Sequence, residues 1–118
     1  MECLTWAAPI VPGKLDAWRD FDAAMRGPRA EEHRASRQAL GMVREVSSLL
    51  RTPDGTDLVC LFHEAEDLGK AFRQLAESTE PYDVWFRERL VEIHGLTPEM
   101  LAAGPPPAEL HLDFRAGG

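Results

Sequence analysis

Hydrophobic residues recur along this chain with two periods, and the order of those periods predicts its architecture. A period of two indicates a strand, whereas spacings of three and four indicate one face of a helix. The pattern predicts strands over residues 3–10, 42–51, 57–63 and 109–115. Helical stripes are predicted between them, over residues 14–25, 28–40, 67–78 and 81–94, with a short turn at 98–103.

The connection between the second and third strands indicates a hairpin, because residues 52–56 read Thr-Pro-Asp-Gly-Thr. The resulting βαββαβ order is that of the ferredoxin-like fold. We therefore expect an α+β protein with a four-stranded antiparallel sheet, in which the first and third strands are central. Residues 1–118 form a single domain in this interpretation, with helices on one face of the sheet.

The third predicted strand is apolar on both of its faces, since residues 58–62 read Leu-Val-Cys-Leu-Phe. Helices can cover only one of those faces in this architecture. The other face would be a large exposed apolar patch, which soluble monomers avoid. The sequence therefore predicts a homodimer that forms through the second face of the sheet.

Three stretches carry a resemblance to a known superfamily. They are Val11-Pro12-Gly13-Lys14 followed by Trp18, the 52–55 turn followed by Asp57-Leu58-Val59, and residues 81–95. Over residues 3–95 the chain resembles the dimeric α+β barrel superfamily, and within it a set of uncharacterised bacterial proteins. The resemblance implies a ferredoxin-like fold and a sheet-to-sheet dimer, but it implies no activity. No stretch matches the catalytic motifs of the cofactor-free monooxygenases, haem proteins or isomerases of that superfamily.

Composition excludes several classes of partner. The formal charge of −7 argues against nucleic acid and against anionic membrane surfaces, because both require basic patches. No apolar run approaches the roughly 20 residues of a membrane span, and no targeting signal is visible, so we expect a cytoplasmic protein. Cys3 and Cys60 are then expected to be reduced and buried. Because no metal-ligand spacing, phosphate loop or nucleophile elbow is present, we expect no metal and no cofactor.

One charged residue interrupts the apolar face of the last long helix. Arg89 lies four residues after Trp85, on the face that also carries Tyr82. Its charge needs a partner, so Arg89 either extends its guanidinium to water or anchors a carboxylate of the protein or of a ligand. Asp22 occupies a similar position beside Trp18 on the first helix. The two could form an ion pair, which would be structural or catalytic.

Histidines supply the other candidate chemistry. His94 ends the last long helix, where it is either a C-terminal cap or a general base at a cleft. His33 and Arg37 share one face of residues 28–40, which is either solvated or an anion-binding lid. His63 and His111 lie on predicted strands and could face the space between sheets.

Two functional hypotheses follow. In the first, a small apolar or aromatic molecule bearing a carboxylate binds between sheet and helices, with possible cofactor-free catalysis of the monooxygenase or isomerase type. Its site would be lined by Trp6, Trp18, Tyr82, Trp85 and Arg89, with Arg37 nearby and with His94, Asp22 and His33 as candidate catalytic groups. In the second, the same aromatic residues fill the core of a non-catalytic structural or interaction module. An enclosed cavity that touches Arg89 would favour the first hypothesis.

Overall fold

The computed structural model describes residues 1–117 and contains three strands and five helices. The strands are β1 (Glu2–Pro9), β2 (Met42–Arg51) and β3 (Asp57–Ala65). The helices are α1 (Leu15–Arg26), α2 (Ala30–Ala39), α3 (Leu68–Glu77), α4 (Pro81–His94) and α5 (Pro98–Ala102). No helix within residues 1–117 has the length and apolarity needed to cross a bilayer.

The helices begin and end where local chemistry favours it. The Asp67 carboxylate accepts a hydrogen bond from the Lys70 amide and so caps the start of α3. Pro81 begins α4, where its missing N–H costs nothing, and Gly95 ends it with a φ of 69°. Thr97 caps α5 by accepting from the Met100 amide. These signals explain why the predicted bounds of the helices lie close to the observed ones.

The sheet is antiparallel with the strand order β1-β3-β2, so β3 is its central strand. One face, which includes Leu4, Ala8 and Val59, is buried beneath the helices. The opposite face carries Cys60, Phe62 and Leu50, and no helix within residues 1–117 covers it; we call it the open face. The two-sided apolar character of residues 58–62 therefore corresponds to a central strand whose second face is only half-buried.

The predicted four-stranded ferredoxin-like sheet is wrong. Residues 109–115 form no strand. Strand β1 is therefore at the edge of a three-stranded sheet instead of at its centre. The alternation of this segment is present but reversed: Asp113 and Arg115 contact the body of the protein, whereas Leu112 and Phe114 are 84 % and 79 % exposed. Side-chain contacts to Cys3 and Glu64 thus hold the segment, with no backbone ladder to β1.

The two cysteines are free thiols, and both are half-buried instead of fully buried. Both lie on the open face, where Cys3 is opposite Glu64 and Cys60 is opposite Ala7. Because four residues separate these pairs along the sheet, the two sulfur positions are about 13 Å apart. The two thiols are therefore far apart.

The C-terminal segment should contribute little to stability. Among the contacts of residues 1–117, removing residues 108–118 deletes exposed side-chain contacts and one local backbone hydrogen bond from Ala108 to Pro106, so the free energy of unfolding in urea should change by less than about 1 kcal/mol. The far-UV circular dichroism should keep its helix and strand signals. A loss of several kcal/mol, as expected for deleting a paired strand, would contradict this account of the segment.

Candidate functional site

A cavity of about 460 Å³ lies between the helices and the covered face of the sheet. Its size falls within the range of small-molecule sites. Arg26, whose side chain is 74 % exposed, also lines it and marks where the cavity meets the surface. The walls are mainly apolar and aromatic, formed by Trp18, Phe21, Val59, Leu61, Phe72 and Phe86.

A β-bulge in β2 determines which charged residue faces this cavity. Met42 is opposite Ala65, but Arg44 is opposite Glu64, so one extra residue enters β2 between them. The shift places Glu45 opposite His63 on the covered face and directs Arg44 to the open face. Without the bulge, the side-chain alternation would exchange these two positions.

Glu45 is the centre of a half-buried polar network. Its Oε1 lies 2.6 Å from Nε2 of His33, and its Oε2 accepts a 3.0 Å hydrogen bond from Nε of Arg37. Burial by itself would raise the pKa of Glu45, but the Arg37 charge and the His33 hydrogen bond outweigh burial and lower the pKa to about 2. Glu45 is therefore an ionised acceptor at neutral pH.

The network continues from Glu45 to α4 through two routes. Because the ionised Glu45 requires a donor, His33 carries a proton on Nε2, and its Nδ1 lies 2.5 Å from the Tyr82 hydroxyl oxygen. Arg37 also donates to Ser36, whose hydroxyl donates to Asp83 at 2.5 Å. Burial raises the pKa of Tyr82 to about 12, so its hydroxyl remains a donor. Side-chain hydrogen bonds thereby connect strand β2 with helices α2 and α4.

His63 lies beside this network but is not part of its hydrogen bonding. The residue is only 6 % exposed, stacks on Trp6 at a ring distance of 6.1 Å and contacts the edge of Phe72 at 5.6 Å. Within the described residues, neither ring nitrogen has a hydrogen-bond partner, and Glu45 Oε2 is 3.8 Å from Nδ1. Burial lowers the pKa of His63, so the ring is neutral at pH 7 and can accept a proton or a hydrogen bond.

The structure brings some of the residues singled out in the sequence to the cavity and places others away from it. Those that line the cavity are Trp6, Trp18, Asp22, His33, Arg37 and His94. Tyr82, Trp85 and Arg89 do not line it. Tyr82 instead contacts the site indirectly through His33, and Trp85 packs beneath the Arg29 guanidinium at 4.1 Å.

The predicted contact between Asp22 and Arg89 does not form. Asp22 pairs with Arg26 one turn along its own helix at 2.9 Å. Arg89 is half-buried and lies 3.2 Å from Glu92, also on its own helix. Each residue thus pairs with an opposite charge three or four residues away on its own helix, instead of with the other helix. Arg89 is thus part of an ion pair on α4, away from the cavity.

His94 lines the cavity, but it does not cap α4 with its side chain. Its Nδ1 lies 2.9 Å from the Pro9 carbonyl oxygen, to which it donates. Burial lowers the pKa of His94, so it is neutral at pH 7. The hydrogen bond connects the end of α4 to the end of β1, which is a structural role.

Two residues of the site carried no decisive signal in the sequence. Glu45 lies in a strand where alternation leaves its direction open, and only the bulge turns it inward. The sequence places His63 on a strand but does not indicate which face of the sheet it is on. Its burial depends on Trp6 and Phe72, which lie on two other elements.

No protein-family model, curated protein or solved structure matches the chain. The superfamily resemblance of residues 3–95 therefore remains a prediction. Within residues 1–117, no group of three or more histidine, cysteine or acidic side chains is placed to hold a metal ion.

Replacing Glu45 should destabilise the protein because Arg37 and His33 would lose their shared acceptor. We expect Glu45→Gln to lower the free energy of unfolding by about 2–3 kcal/mol at pH 7, measured by urea denaturation. Glu31→Gln, at an exposed position on α2, is the control and should change it by less than about 0.5 kcal/mol.

The loss of stability caused by Glu45→Gln should become smaller as the pH falls. Its pKa is depressed from the ordinary 4.5 to about 2 on folding, so the stabilisation is present above pH 4.5 and is lost as pH falls through 2. The difference between the native protein and Glu45→Gln should therefore shrink on acidification. A difference that grows below pH 4.5 would contradict the assigned charge.

Proposed function

We propose that this chain binds a small, largely apolar molecule in the cavity between its helices and its sheet. The cavity itself is the observation that carries the proposal. Protein interiors normally pack without voids much larger than a water molecule, whereas here about 460 Å³ remains unfilled between the helices and the sheet. The alternative of a structural module predicts a filled core, so the cavity favours ligand binding.

The charges around the cavity support a neutral ligand over a carboxylate. The carboxylate expectation depended on Arg89, which lies on α4 away from the cavity. The two arginines that do line the cavity are already paired, Arg37 with Glu45 and Arg26 with Asp22. A buried carboxylate would need a cation of its own. If the protein is catalytic, cofactor-free isomerisation with neutral His63 as the base is the type that fits this site.

Filling the cavity should abolish binding. Ala71 is 1 % exposed and lines the cavity, so Ala71→Leu places a larger apolar side chain inside it. Using 2-methoxynaphthalene as the probe, ligand-observed NMR should show saturable binding to the native protein and at least about tenfold weaker binding to Ala71→Leu.

Ala35→Leu is the matched control, because Ala35 is exposed on α2 and the change is chemically the same. This variant should bind the probe as the native protein does. Absence of saturable binding to the native protein, or equal binding by Ala71→Leu, would contradict the proposal.

We also infer that two copies associate through the open face. Val46 and Leu50 are 42 % and 50 % exposed there, next to the half-buried Phe62. Their exposure on a sheet face that no helix within residues 1–117 covers favours association, since contiguous apolar surface is usually covered. Two unpaired cysteines on the same face suit a reducing compartment such as the cytoplasm.

Sedimentation at micromolar concentration should therefore give a mass twice that of one chain, which is 13.2 kDa. Leu50→Lys should shift the protein to monomer, because two lysines would face each other or apolar residues at the interface. Val91→Lys, at a similarly exposed valine on α4, should leave the dimer intact. A monomeric native protein would contradict the inference.

A further inference from the structure

Two side chains that line the cavity have buried nitrogen atoms with no hydrogen-bond partner within residues 1–117. They are His63, through both ring nitrogens, and Trp6, through Nε1. Both residues line the cavity, and their rings stack at 6.1 Å with an angle of 26° between the planes. Buried polar atoms are rarely left unpaired, so this pair requires an explanation. A ligand in the cavity would supply the missing partners.

The surroundings of His63 determine what it can offer such a ligand. Glu45 Oε2 is 3.8 Å from Nδ1, too far for a hydrogen bond but close enough for its negative charge to favour a proton there. A neutral imidazole with its proton on Nδ1 has a free lone pair on Nε2. His63 therefore presents an acceptor, while the Trp6 indole presents a donor.

A hydroxyl group matches this combination, because its proton can be donated to Nε2 while its oxygen accepts from the indole N–H. A carboxylate cannot donate when ionised, and it would lie near the charge of Glu45. An ether oxygen can accept but not donate. The arrangement thus distinguishes three groups that differ little in size.

The apolar walls determine what carries the hydroxyl. Phe72 contacts His63 by its edge, and Trp18, Phe21 and Phe86 also line the cavity. Aromatic side chains favour offset or edge contacts with an aromatic ligand. A phenolic hydroxyl is also a stronger hydrogen-bond donor than an aliphatic one.

We propose that the cavity selects an uncharged aromatic alcohol, a phenol or naphthol, whose hydroxyl is bound between His63 and Trp6. This inference rests on the proposed binding function and specifies its ligand class. His63 acts here as the hydrogen-bond acceptor of the ligand, and Trp6 as the donor to the same oxygen.

Three probes of one ring system test the proposal. Isothermal titration calorimetry at pH 7 should show that 2-naphthol binds about tenfold or more tightly than 2-methoxynaphthalene, which cannot donate a hydrogen bond. The 2-naphthoate anion should bind more weakly than 2-naphthol. His63→Phe should remove the preference for naphthol while leaving the affinity for 2-methoxynaphthalene within about threefold.

Trp6→Phe provides a second variant that keeps an aromatic ring and removes the N–H. It should weaken naphthol binding and affect 2-methoxynaphthalene little, and it keeps the test valid if His63→Phe fails to fold. In the native protein, naphthol should also shift the ¹⁵N resonance of His63 Nε2.

The failures of the two proposals can be told apart. Equal binding of 2-naphthol and 2-methoxynaphthalene, or tightest binding of 2-naphthoate, would overturn the phenol assignment and leave the binding function standing. A naphthol preference that survives in both variants would overturn it as well. If none of the three probes binds, both the assignment and the binding function are wrong.

Discussion

The structure depends on compensating the half-buried charge of Glu45. An ionised carboxylate removed from water is costly unless cations and donors surround it. Arg37 and His33 meet that need from α2, and their other hydrogen bonds reach Tyr82 and Asp83 on α4. The position of α2 between β2 and α4 follows from this requirement, because a shift of either helix would leave a buried charge unpaired.

The same constraint accounts for the cavity and for the state of His63. Hydrogen bonds to Glu45 hold His33 and Arg37 in the polar wall of the cavity, which faces the apolar side chains across the unfilled space. Both oxygens of Glu45 are engaged by His33 and Arg37, so neither comes within hydrogen-bond distance of His63. His63 is left neutral, buried and available to a ligand.

Local patterns predicted the helices and three of the strands, because caps such as Asp67 and breakers such as Gly95 act over a few residues. The prediction of a fourth strand was wrong because alternation indicates two faces but does not tell which face packs against the protein. In residues 109–115 it is the polar side chains that face the protein.

Part of the site could also be predicted. The sequence singles out Trp6, Trp18, His33 and Arg37, and all four line the cavity. Glu45 was missed because a bulge, which the sequence does not mark, turns it inward. Arg89 was overvalued because its partner, Glu92, lies on its own helix.

The protonation of the buried histidines tests the central claim most directly. Nitrogen-15 NMR of the imidazole rings, recorded at pH 7 on ligand-free protein, reports which nitrogen of each ring carries a proton. The account predicts a proton on Nε2 of His33, bound to Glu45, and a neutral His63 with its proton on Nδ1 and a bare Nε2. A doubly protonated His63, or a His63 proton on Nε2, would contradict the account, because no acceptor would then face the cavity.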